Sequence, residues 1–235
     1  MSCEADQTSM PPVEPALEAA SLVSGSLRDG WEAFKREAGI LIAFVLLMIP
    51  IDALGLALTS GLSQGPSEGL QNFQHFTWLS VFGLVHGIFT IGILYASLRA
   101  LRRQPVPFST FFAGFNRFGA LILGLILMQL IVGFGTMFFI IPGIFFALAF
   151  AQWPLLVMDR RAGGPDSLGK SWHMMRGYKA DFLLLWLALI GINILGFLAF
   201  IAGLLVTIPL SYAAQAAFYN RLMRIHPPED PIVTD

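Results

Sequence analysis

The chain has 235 residues, 56% of them hydrophobic and 12% charged, with a formal net charge of -1 and a mean hydropathy of +0.70. Soluble domains carry about 25% charged residues, so this composition excludes a soluble globular protein and points to an all-α polytopic membrane protein. One crossing takes roughly 20 apolar residues, which allows about six crossings and no large extramembrane domain.

Residues 1–21 form an acidic tail in which Glu4, Asp6, Glu14 and Glu18 alternate with Pro11, Pro12 and Pro15. A segment so poor in apolar residues is expected to be disordered. It lacks the basic start and apolar stretch of a cleavable signal peptide, so the first apolar span is expected to act as an uncleaved anchor. The single cysteine, Cys3, has no partner for an internal disulfide.

A single membrane domain is expected over residues 22–224. In residues 22–38, Leu27, Trp31, Phe34 and Ala38 recur at helical spacing opposite Arg28, Glu32, Lys35 and Arg36. That pattern predicts an amphipathic helix lying in the membrane interface. The first span is predicted over 39–58, interrupted by Pro50 and Asp52, and a polar connection without Lys or Arg leads to a second span over 78–98. Arg99, Arg102 and Arg103 close it.

Pro105 and Pro107 break that helix and open a second lead. Phe108, Phe111, Phe115 and Phe118 are predicted to share its membrane face. The third and fourth spans, 119–138 and 141–158, turn at Pro142 and Gly143. They take about 40 residues with almost no loop, so a shallow re-entrant hairpin is the alternative. After Asp159, Arg160 and Arg161, either Asp166 or Ser167 is expected to cap a third lead, with Leu168, Trp172 and Met175 on one face and Gly177 at its end. Spans over 182–198 and 202–220 follow, then Arg221, Arg224 and a C-terminal tail from 225 to 235. The expected architecture is three hairpins, each preceded by an amphipathic interfacial helix.

All 14 Lys and Arg fall in the first lead, in residues 99–117, in residues 160–179 or just after the sixth span. Short cytoplasmic loops hold the excess of Lys and Arg, so both termini are expected on the cytoplasmic side of the cell (inner) membrane. The basic leads are expected to meet anionic lipids at that face. With its positive charge committed to the membrane, the chain has none left for nucleic acid.

Polar residues inside spans are the candidate site, because hydrocarbon tolerates them poorly. Asp52 and His86 each fall roughly two turns from the outer end of their span, at matching depth, where a carboxylate and an imidazole can relay protons. The alternative is that Pro50 ends the helix early and Asp52 sits among wet headgroups. Gln129, Gln152, Asn193 and Gln215 lie one apiece in spans three to six, as interhelical hydrogen-bonding amides or as the lining of a solute site. Gly83 with Gly87 and Gly191 with Gly196 are read as close-packing positions, and Tyr95 and Tyr219 as interfacial anchors. His75, His86, His173 and His226 have no metal-ligand spacing, and the AGG at 162–164 lacks the Lys and Ser/Thr of a phosphate loop. Ser171 and His173, two apart on a helix, point to different faces. No catalytic residue and no cofactor are expected.

Three stretches, IPGIFFALAFAQWPLLVMD, DSLGKSWHMMRGYKADF and GLLVTIPLSYAAQAAFYNRL, resemble a broad family of bacterial integral membrane proteins of largely unassigned function. That family is similar to the membrane domain fused to some glycerophosphodiester phosphodiesterases. Its pattern places a Pro-Gly before a span ending in an acid, then a Ser-containing helix ending in Gly and a base, then a span with Pro in its first half and Tyr-x-x-Leu at its end. Pro142, Gly143, Asp159, Ser171, Gly177, Lys179, Pro209, Tyr219 and Leu222 match it. The resemblance implies a bacterial membrane fold and no established reaction. The expected function is a non-enzymatic module that assembles with a membrane protein partner or a second copy, or regulates another membrane process. A small-solute or lipid transporter using Asp52 and His86 is the alternative.

Overall fold

The computed structural model describes residues 15–61, 68–138, 140–199 and 201–225, with side chains over 22–57, 82–136, 140–199 and 202–225. The tail through residue 14, residues 62–67 and the tail from 226 lie outside the described residues, as do the side chains of His75 and Trp78. The described chain is helical with no strand: α1 (Pro15–Gly61), α2 (Glu68–Leu101), a 3-10 helix (Phe108–Arg117), α3 (Phe118–Phe138), α4 (Ile140–Ala149), α5 (Trp153–Met158), α6 (Gly164–Met174), α7 (Lys179–Leu198) and α8 (Ile201–Ile225). Six stretches are long and apolar enough to cross a membrane: Leu22–Ala57, Phe82–Leu101, Phe108–Thr136, Ile140–Met158, Lys179–Leu198 and Ala202–Ile225. This is a multi-pass membrane protein. In hydrocarbon only a helix or a closed barrel satisfies every backbone group, which is why runs this apolar stay helical throughout.

Large side chains face outward and small ones inward. Leu56, Phe134 and Leu195 are 72%, 63% and 66% exposed, as suits a lipid-facing surface. Inside, Ala213, Ala214, Ala216 and Ala217 are buried along one side of α8. Lipid tails are as apolar as leucine, so helices in a membrane associate through small residues that let backbones approach.

The first lead and first span form one helix, bent at Glu37, where the backbone departs to φ -119, ψ 24. Its buried residues before the bend are small ones, Gly25, Ser26, Gly30 and Ala33, together with Leu22 and Phe34, while Trp31 is exposed. A Cβ on Gly30 would lie 2.7 Å from the Ala214 backbone. The lead therefore packs on α8 through small residues beside the predicted Phe34 and Leu27, and of that predicted face Trp31 turns outward. At the bend, Arg36 donates to the Ala100 carbonyl over 2.7 Å and caps the end of α2. Pro50 does not end the helix, which runs through it to Gly61.

The second lead is a 3-10 helix rather than an α-helix, and the tighter winding re-sorts its phenylalanines. With three residues per turn, positions i and i+3 eclipse. Phe111 and Gly114 turn inward, and Phe112, Phe115 and Phe118 form an exposed row with stacked rings. Phe111 stacks on Phe44 with centroids 4.0 Å apart, and its carbonyl rests against Gly92, where a Cβ would collide with it. Of the expected close-packing glycines, Gly83 and Gly191 face open space.

Span four is two helices, α4 and α5, because Pro154 has no N–H and crowds the carbonyl four residues back. At the third lead, α6 starts at Gly163 with Pro165 in its first turn and no side-chain cap. Asp166 and Ser167 lie inside that turn rather than capping it, and Ser167 donates to the Gly164 carbonyl. Gly177, at φ +92, makes the turn into α7. Replacing Gly92 with Val should lower stability by about 1–3 kcal/mol through overpacking, read as a lowered unfolding midpoint in detergent. Gly83→Val should leave the midpoint unchanged.

Candidate functional site

α1 and α2 bring Asp52 and His86 together. The His86 Nε2 lies 3.4 Å from Asp52 Oδ1, and on the ring's other side Thr90 Oγ1 lies 3.4 Å from Nδ1. Tyr212 of α8 lines the same cavity as Thr90. Carboxylate, imidazole, hydroxyl and phenol thus come together from three helices. They border a cavity of about 200 Å³ whose remaining wall is apolar, including Phe44, Met48 and Ile208. Asp52 lies 15 residues past the bend at Glu37 and His86 lies 15 residues before the end of α2. At 1.5 Å per residue both are about 22 Å from that end of the bundle, within an apolar core about 30 Å thick. Their side chains are 51% and 38% exposed, so the cavity is not sealed.

At the other end, Asp159 follows α5 and is 11% exposed. Both carboxylate oxygens accept from Arg102, Nη2 reaching Oδ2 over 2.9 Å, and the Tyr219 hydroxyl donates to Oδ2 over 3.1 Å. Arg102 Nε donates to Asn220 Oδ1 over 3.3 Å. The hydrogen bond to Asp159 pushes Arg102 further toward its charged form, and partial burial opposes this. Tyr219 is wholly buried, a core residue holding a carboxylate rather than an interfacial anchor. Nearby, Arg221 of α8 reaches Asp29 of α1 at 2.6 Å.

Ser171 of α6 mends the break in span four. Its hydroxyl accepts from the Gln152 N–H over 3.2 Å and donates to the Ala149 carbonyl over 3.1 Å. Those are backbone groups that the kink strips of helical partners. His173 is exposed and turned away from Ser171. Lys179 Nζ sits 4.7 Å from the Phe145 ring centroid and 4.8 Å from that of Trp172, tying α7 to α4 and α6.

Comparison with known proteins finds no matching family model, no similar curated protein and no similar solved structure. The geometry therefore carries the functional reading alone. The other intramembrane amides do not join the Asp52 cavity. Asn193 donates to the Leu189 carbonyl and to Ser211, each over 2.8 Å, and so links α7 to α8. Gln152 is buried at the break, Gln215 is half-buried on α8, and Gln129 is exposed on α3. Among the positions matched by resemblance, Gly143 packs against Thr136 across the α3–α4 turn, while Pro209 and Leu222 are buried in α8. Pro142 stands in the first turn of α4, where its missing N–H costs nothing.

Sequence reasoning passed over Arg102, Asp29, Thr90 and Tyr212. Thr90 carried a usable signal, one helical turn after His86. Removing the Asp159 carboxylate as Asp159→Ala should cost about 3–5 kcal/mol, the penalty for breaking a mostly buried pair. Adding Arg102→Leu should recover part of that loss in the unfolding midpoint. Ser171→Ala should cost about 1–3 kcal/mol, with faster amide exchange at Gln152.

Proposed function

We propose that this chain is a bacterial cell (inner) membrane protein with both termini cytoplasmic, and that it moves a small solute or lipid with the Asp52–His86 cavity as its working site. The observation that carries the reading is the pairing of two ionisable side chains from different spans, well inside the apolar thickness. Such residues mark transport paths and proton relays, since a bilayer penalises them wherever they do no work. Thr90 and Tyr212 on the same cavity wall supply further groups that can accept and pass a proton, and the half-exposed Asp52 and His86 leave the site open to an entering substrate.

A second reading keeps the expected non-enzymatic module that assembles with a partner or a second copy. It draws on Gln129, whose amide is exposed in the middle of the otherwise apolar α3. An amide there gains from a hydrogen bond to another helix.

Proteoliposomes separate the two readings. Wild-type protein should speed either the collapse of an imposed pH gradient, followed with a trapped pH dye, or the flipping of a fluorescent phospholipid. Asp52→Asn and His86→Ala should each reduce the rate about a hundredfold, the lower end of the usual general acid–base contribution. If wild type matches protein-free vesicles in both assays, transport is ruled out and assembly stands. Orientation has its own test, because Cys3 is the single cysteine. A membrane-impermeant thiol reagent should label it in inside-out vesicles and not in intact cells.

A further inference from the structure

Between the ends of α2 and α5 lies a second cavity, of about 170 Å³, bordered by Tyr95, Arg99, Arg102, Gln104, Asp159 and Arg160. Its charged border holds three guanidiniums against one carboxylate, a surplus of two positive charges. The Asp159 carboxylate is already occupied by Arg102 and Tyr219. The Arg99 Nε, by contrast, is buried and has no hydrogen-bond partner. A buried guanidinium N–H without an acceptor is a costly arrangement that a missing anion would explain.

The backbone supplies an independent observation. α2 and α5 each end in the same turn, with Gln104 N–H on the Arg99 carbonyl and Arg161 N–H on the Leu156 carbonyl. That turn takes a residue in the left-handed region, where glycine is usual. Here the two positions are Arg103, at φ 55, and Arg160, at φ 56. Arginine there is strained, and strain of this kind persists where a side chain has work to do. The turn at Arg160 sets that guanidinium on the cavity border beside Arg99.

We propose that this cavity binds a phosphate group, either the headgroup of an anionic phospholipid or a free phosphate. Guanidinium forks match phosphate oxygens in bidentate geometry. The volume falls below the roughly 300 Å³ at which small-molecule pockets begin, so it takes a phosphate head and not a whole nucleotide. Its place at the ends of α2 and α5 puts it at headgroup depth. The site goes beyond the transport reading, since it shares no residue with the Asp52 cavity.

The test is native mass spectrometry of the full chain released from nanodiscs holding equal phosphatidylglycerol and phosphatidylcholine. Wild type should retain phosphatidylglycerol selectively. Arg99→Gln and Arg160→Gly should each cut retention about tenfold, the scale of losing one charge-assisted hydrogen bond. Arg160→Gly is the decisive variant, because glycine relieves the left-handed residue and keeps the fold. Arg224→Ala and Asp52→Asn should retain lipid like wild type, which separates this site from the transport reading. If lipid-free protein instead gains a phosphate adduct in millimolar inorganic phosphate, and Arg160→Gly loses it, the ligand is free phosphate. Equal retention of both lipids with no phosphate adduct overturns the proposal, as does unchanged binding in both arginine variants.

Discussion

Asp159 is a carboxylate that three separate stretches of chain share. A carboxylate removed from water is tolerated only when its lone pairs are filled, and here Arg102 comes from the end of α2 and Tyr219 from α8. The node joins the end of the first hairpin, the end of the second and the last helix at one point. With Asp29 and Arg221 beside it and Arg36 capping α2, polar contacts settle which helix ends meet. Hydrophobicity cannot make that choice in a bilayer, where every apolar surface is equally at home.

The bundle is therefore uneven along its length. Its basic end is fastened by ion pairs and caps. Among the described residues, the far end is held by glycine contacts, Gly135 against Gly143 and Gly196 against Gly203, and by the half-exposed Asp52 and His86.

Much of this was legible in the sequence because the bilayer simplifies the code. Span length, the end of the third lead at Gly177 and the meeting of Asp52 with His86 follow from hydropathy, turn chemistry and helical rise. What escaped is instructive. The first lead buries Phe34 of its expected large apolar face, but Trp31 turns outward and Gly25, Gly30 and Ala33 bring the helix close to α8, because close helix packing rewards small residues. Periodicity of 3.6 misplaced Phe111, because Pro107 opens a run that winds at three residues per turn. Arg102 and Asp159 lie 57 residues apart, and in single-sequence reading such a partner looks like one more basic residue at a span end. Ser171 stood out by resemblance, but its task depends on a kink that only Pro154 hinted at.

The contact between α1 and α8 joins the first of the described helices to the last. Until the ribosome releases α8, the glycine face of α1 lacks the helix it packs on, and Asp29 has only the loose, exposed pairing with its neighbour Arg28 at 4.0 Å. The opening segment must wait in the bilayer, incomplete, while nearly the whole polypeptide is threaded past it. A chain cut short before Arg221 would display that weakly paired acid and a bare stripe. The pairing thus gives the cell a chemical signature by which unfinished copies differ from finished ones, and a reason for membrane proteases to remove them.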